Sequence, residues 1–132
     1  MDKNNINISK VETYLNKILD NVVSMNTFFG SYPEKETIDP KWNDMVFVES
    51  PNGIEDMDAY GVGTVLVWLF ARPLSSGRKN VGQLSRMEIK LNEVIEKSND
   101  SIYHISRRET YTDYDRNLRW HCNVVELIIK VF

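Results

Sequence analysis

Cysteine, histidine and long apolar runs are scarce in this 132-residue chain, and each shortage closes off a class of function. The single cysteine, Cys122, has no partner for an internal disulfide. With His104 and His121 as the only imidazoles, it leaves too few soft ligands for a structural zinc site. No cofactor or metal is therefore expected. The longest apolar stretch, Val62 to Ala71, is interrupted by Thr64 and ends at Arg72-Pro73. A membrane-spanning helix needs about 20 apolar residues, so this run is too short to insert. The opening MDKNNINIS has no basic stretch followed by an apolar one, so no secretory signal is visible and the reading is intracellular. A formal net charge of -3 lacks the excess of cations with which nucleic-acid binders displace counterions.

What is present is the composition of an ordinary globular protein, 42% hydrophobic and 27% charged. The length suits one domain over 1–132 with its own core, a flexible start over 1–8 and a mobile polar loop over 73–79. Charge is unevenly spread. Glu34 to Asp58 holds eight acids against Lys35 and Lys41, whereas Arg72 to Lys97 holds six bases against three glutamates. Opposite charge in separate segments favours head-to-tail association between copies.

Hydrophobic spacing orders the elements. Ser9 and Glu12 have the spacing of a capping box, and Val11, Leu15, Ile18, Leu19 and Val22 form one helical stripe running to about Val23. Thr27 to Tyr32 reads as a short edge strand, and Glu34 to Asn43 as a loop in which Trp42 is either a local anchor, the commoner case, or an exposed contact for a partner. Met45 to Glu49 and Tyr60 to Arg72 read as strands separated by turn formers and an acidic tip. Asn80 is a good N-cap for a second helix carrying Leu84, Met87, Leu91, Val94 and Ile95, which ends near Lys97. A strand from Ile102 to Tyr111, a turn over Thr112 to Asn117 and a final strand from Leu118 to Phe132 close the chain.

The expected fold is α+β, an antiparallel sheet of about four to six strands with two helices packed on one face. One detail asks for more. Val62, Thr64, Leu66, Trp68 and Phe70 alternate with Gly63, Val65, Val67, Leu69 and Ala71, and both sets are largely apolar. An antiparallel sheet usually leaves one face wet, so the second face calls for cover from a loop of this chain or from another subunit.

No catalytic constellation emerges, and the chain is not expected to be an enzyme. Gly61-Val62-Gly63-Thr64 lacks the third glycine and the following helix of a dinucleotide loop; its glycines are read as relieving crowding or marking a bulge. His121 and Cys122 are adjacent, so a strand points them to opposite faces. Asp56-Met57-Asp58 and Asp113-Tyr114-Asp115 have acid-x-acid spacing, which turns also select. Ser75-Ser76-Gly77-Arg78-Lys79 suits either a phosphate grip or an arm reaching a neighbouring subunit. Arg107-Arg108 with Tyr111 and Tyr114 would suit a single nucleic-acid strand, but Glu109, Asp113 and Asp115 interrupt the field.

In layout the chain resembles the tail terminator, or tail completion, proteins of tailed bacteriophages and related contractile particles. The resemblance lies in the helix from Ser9 to Val23, the strand around TVLVWLFARP, the loop LSSGRKN before the helix NVGQLSRMEIKLNEVIEK, and the hairpin turn YTDYDRNLRW before VVELIIKVF. It spans nearly the whole chain, apart from the acidic insertion Glu34 to Asp58, which has no counterpart in that layout. It implies a subunit of the virion neck, assembled in the host cytoplasm, that forms a hexameric ring, stops growth of the tail tube and meets the head-tail connector. Asp56, Asp58, Trp68, Arg72, Arg78 and Lys79 are then the expected contact residues, the two aspartates of one copy facing Arg72, Arg78 or Lys79 of the next. Another head-tail joining protein, a small peptide- or nucleic-acid-binding module, and a small enzyme using His104 or His121 are the alternatives.

Overall fold

The alternating stretch that ends at Ala71 lies in the middle of a sheet in the computed structural model, which describes residues 3–132. The strands are Thr27–Phe29 (β1), Asp44–Glu49 (β2), Glu55–Asp56 (β3), Gly61–Ala71 (β4), Tyr103–Asp115 (β5) and Trp120–Val131 (β6). Their spatial order is β1-β2-β4-β6-β5, with the short β3 added to the start of β4. Helices Ile8–Leu19 (α1) and Val81–Ser98 (α2) pack on one face, so the fold is α+β as expected. The sheet is mixed, because β1 pairs with β2 in parallel while every other pair is antiparallel.

The helix face forms for the reason the spacing predicts. Val11, Leu15 and Leu19 of α1 and Leu84, Met87, Leu91 and Ile95 of α2 bury one stripe each. They meet Val46, Val48, Val65, Val67, Leu69, Val125, Leu127 and Ile129, the residues of β2, β4 and β6 that point the same way. Burying each such helix side chain contributes about 1.5–3 kcal/mol, which outweighs what helix propensity alone supplies. Among the described residues no helix is long and apolar enough to cross a membrane.

The other face is covered by the chain itself, but only over half its length. The segment between β1 and β2 folds back so that Ile38 and Trp42 pack with Met45, Phe47, Phe70, Leu118, Trp120 and Cys122. Tyr32 places its ring edge-on to Phe47, Trp68 and Phe70 at centroid distances of 5.2, 5.7 and 5.8 Å. Trp42 is thus the anchor it was expected to be. Toward the start of β4 the cover stops. Thr64 is exposed, while Val62, Leu66 and, on β6, Ile128 are half-buried.

Several boundaries differ from expectation. The N-cap of α1 is Asn7, whose Oδ1 accepts from Lys10 N at 3.2 Å, not Ser9. Glu12, the other half of the expected capping box, accepts from Ser50 Oγ at 3.0 Å. The helix ends at Leu19 because Asp20 turns extended and Asn21 takes φ 54°, so Val22 and Val23 lie beyond it. Of the start expected to be flexible, residues 1–2 lie outside the described residues, Lys3–Ile6 forms a 3-10 turn, and Ile8 already belongs to α1. β5 runs on to Asp115, because Asp113 and Asp115 are held opposite Cys122 and Trp120 of β6 despite their poor strand propensity. The turn is therefore confined to Arg116–Arg119.

Candidate interaction surface

The register of β4 separates the expected contact residues. Asp56 pairs with Gly61 at its start and Arg72 follows Ala71 at its end. At ~3.3 Å per residue these points are about 33 Å apart. Asp56 and Asp58 therefore cannot meet Arg72, Arg78 or Lys79 of the same chain. The acidic segment itself is divided in the same way. Asp39 and Asp44 lie at the Ala71 end, while Glu49, Glu55, Asp56 and Asp58 lie toward the Gly61 end.

At the Gly61 end, Asp56 Oδ1 accepts from Asp58 N at 2.9 Å, and Asp58 takes φ 69°. This acid-x-acid pair shapes a turn. At the Ala71 end the three cations differ. Arg72 is committed within its own chain: its Nε donates to Trp42 O at 2.7 Å, its Nη2 to Asp39 O at 3.2 Å, and its guanidinium sits 4.7 Å from the Trp120 ring centroid. Lys79 Nζ donates to Thr112 Oγ1 at 2.5 Å. Arg78 is exposed at the closing position of a turn in which Leu74 N donates to Arg78 O at 2.9 Å and Gly77 N to Leu74 O at 2.8 Å. Gly77 carries φ 82°, the left-handed value such a turn requires. Leu74, in the same turn, is 47% exposed.

Trp68 lies between the two ends, half-buried among Tyr32, Phe47 and Phe70, with a buried Nε1 that has no hydrogen-bond partner among the described residues. It packs in the aromatic layer beneath the chain's own loop.

A cleft that composition did not announce opens where the sheet edge is broken. β2 pairs with Leu66–Ala71 and β3 with Gly61 and Val62, so among the described residues Gly63, Thr64 and Val65 have no strand beside them on that side. The intervening loop sends Ile54 onto the helix face. A Cβ on Gly61 would lie 2.7 Å from Ile54 Cγ2, and one on Gly63 2.7 Å from Ile54 Cδ1. The two glycines thus relieve crowding beneath Ile54, and the spacing Gly61-x-Gly63 was the one signal in the sequence for this detour. What remains is a cleft of about 600 Å³ with Val62, Thr64 and Leu66 along β4 and Glu49 and Glu55 at its sides.

Cys122, His121, Asp115, Arg107 and Arg108 each make contacts within the fold, and His104 is exposed on β5. Cys122 is buried with its thiol pushed up to about 12, by burial first and then by Asp113 and Asp115. His121 points to the other face, its ring 4.8 Å from that of Tyr114, so the two side chains do not form a thiol and base pair. Asp115 Oδ2 accepts from Tyr32 Oη at 2.5 Å, and its Oδ1 accepts from Asn117 N and Leu118 N to hold the hairpin turn. Arg107 pairs with Glu88 at 3.1 Å and Arg108 with Glu126 at 3.2 Å, which takes both cations out of an open basic field. Among the described residues no group of three or more His, Cys, Asp or Glu side chains is placed to hold a metal. No protein-family model matches the sequence, and no curated protein matches it at a significant level.

Proposed function

We propose that the chain is a non-enzymatic structural subunit of the tail-terminator type. Copies associate head to tail into a ring, six being the number the resemblance implies, which caps the tail tube and meets the head-proximal connector. The observation that carries this reading is the half-covered second face of β4, with an acidic tip at one end and the Leu74–Arg78 turn at the other. Surfaces of different character at opposite ends of one subunit make a heterologous contact, which closes into a ring or runs on as a filament. The chain should appear as a discrete oligomer in native mass spectrometry, alone or with preassembled tail tubes of the same particle, and as rings at tube ends in negative-stain images. A chain that stays monomeric with the tubes and leaves their ends bare and growing would overturn the reading.

A further inference from the structure

We infer that the Leu74–Arg78 turn of one copy seats in the cleft between Glu49 and Glu55 of the next, with Leu74 against Val62 and Leu66. This assigns the subunit contact, and it rests on the reading of the chain as a self-associating subunit. Chemistry of the cleft selects the occupant. Val62 and Leu66 are half-buried apolar side chains on its floor, and the half-buried Glu49 and exposed Glu55 have no hydrogen bond or ion pair to their carboxylates among the described residues. Carboxylates flanking an apolar floor offer charge-assisted hydrogen bonds to a cation that docks beside them. The matching group is one apolar side chain next to one cation, presented on a convex element.

The chain carries such an element at its other end. The Leu74–Arg78 turn is closed by two backbone hydrogen bonds of its own, so little further order is lost when it docks. It exposes Leu74, and Arg78 makes no side-chain hydrogen bond or ion pair among the described residues. Arg72 and Lys79, by contrast, are already engaged within the subunit. The cleft, centred on Thr64, lies about 23 Å along β4 from Ala71, beyond which the turn begins, so the two do not meet within one chain.

Charge exchange tests the contact. Arg78→Glu and Glu55→Arg should each raise the concentration of half-assembly by about tenfold or more, as like charges then face each other. The doubly exchanged chain should return to within a few fold of the original, since each contact again pairs opposite charges. Thermal melts by circular dichroism check that all three fold. A second pair of variants reads proximity directly: Ser76→Cys with Asn52→Cys in one chain should give a ladder of disulfide-linked multimers on mild oxidation, and either alone should not. If the original chain assembles but the single exchanges assemble equally well and no ladder forms, this contact is wrong while the ring reading stands. If the original chain never assembles, with or without tubes, the ring reading falls and the contact with it.

Discussion

Arg72 shows how a residue's chemistry is decided by what reaches it first. As a cation beside a basic loop it looked free for a partner, yet two backbone carbonyls and the Trp120 face hold it. Its role is to pin the 30–43 segment over the second core, leaving Arg78 as the cation that faces outward. Cys122 and Tyr14 carry a comparable lesson with a measurable consequence. The Cys122 thiol is pushed up to about 12, mainly by burial, and so is the Tyr14 hydroxyl, by burial first and then by Asp100. In the unfolded chain these groups ionise near ~8.5 and ~10. Both folded values are raised, so the unfolded state binds fewer protons in that window; the stability they lend is complete below the unfolded values and is lost as pH rises toward the folded ones. The midpoint of urea unfolding should hold steady from about pH 7 to 8 and fall progressively between about pH 9 and 11. A chain with Cys122→Ala and Tyr14→Phe should start less stable, Tyr14 losing its 2.6 Å bond to Ser98 O, and fall less steeply. An equal slope in the two chains would show that other groups govern the alkaline limb.

Among the elements, α1 separates what periodicity specifies from what only packing decides. The stripe Val11, Leu15, Leu19 fixes which face is buried, but Asn7 and Ser9 are both good caps by residue type. Tertiary structure breaks the tie, because Glu12 is drawn to Ser50 and is not available to complete a box with Ser9. Asn7→Ala should therefore cost about 1 kcal/mol of unfolding free energy, whereas Ser9→Ala, in the first turn, should stay within about 0.5 kcal/mol. Denaturant titration of the two variants decides it, and the opposite ranking would restore the capping box. Much of the rest was legible for the same reason: both helix stripes, the two faces of β4 and β6, and the Asn80 cap, which accepts from Gln83 N at 3.2 Å, all follow from local spacing and residue type. What was not legible depends on how strands and loops pair, which residue type and spacing do not specify. The parallel β1, the extension of β5 through two aspartates, and the cleft left by Ile54 each arise from pairing or crossing between segments. The acid tip and basic loop were visible as charges, but only the register of β4 places them at opposite ends.

At the scale of the whole molecule, the proposed end-to-end association leaves the long open side of the sheet to be accounted for. β5 offers 13 residues, exposed from Ser106 to Tyr114, with no strand on its outer edge among the described residues. Such an edge invites strand addition unless something blocks it. Two features do so here. The register of β5 against β6 shifts between Arg107 and Glu109, so Arg108 is an extra residue that kinks the edge, and Arg107, Arg108, Glu109 and Asp113 line the strand with charge. Arg108→Ala keeps the extra residue and loses only an exposed ion pair with Glu126, worth under about 1 kcal/mol. Deleting Arg108 instead brings Arg107 and Glu109 into one unbroken ladder, since their partners Leu127 and Glu126 are already consecutive. Combined with Asp113→Thr, that deletion should produce edge-to-edge aggregates, seen as rising light scattering and thioflavin fluorescence at concentrations where the original chain and Arg108→Ala keep a defined size. If the regularised edge keeps that same defined size, the bulge is not what protects β5, and an edge contact becomes a rival to the end-to-end arrangement.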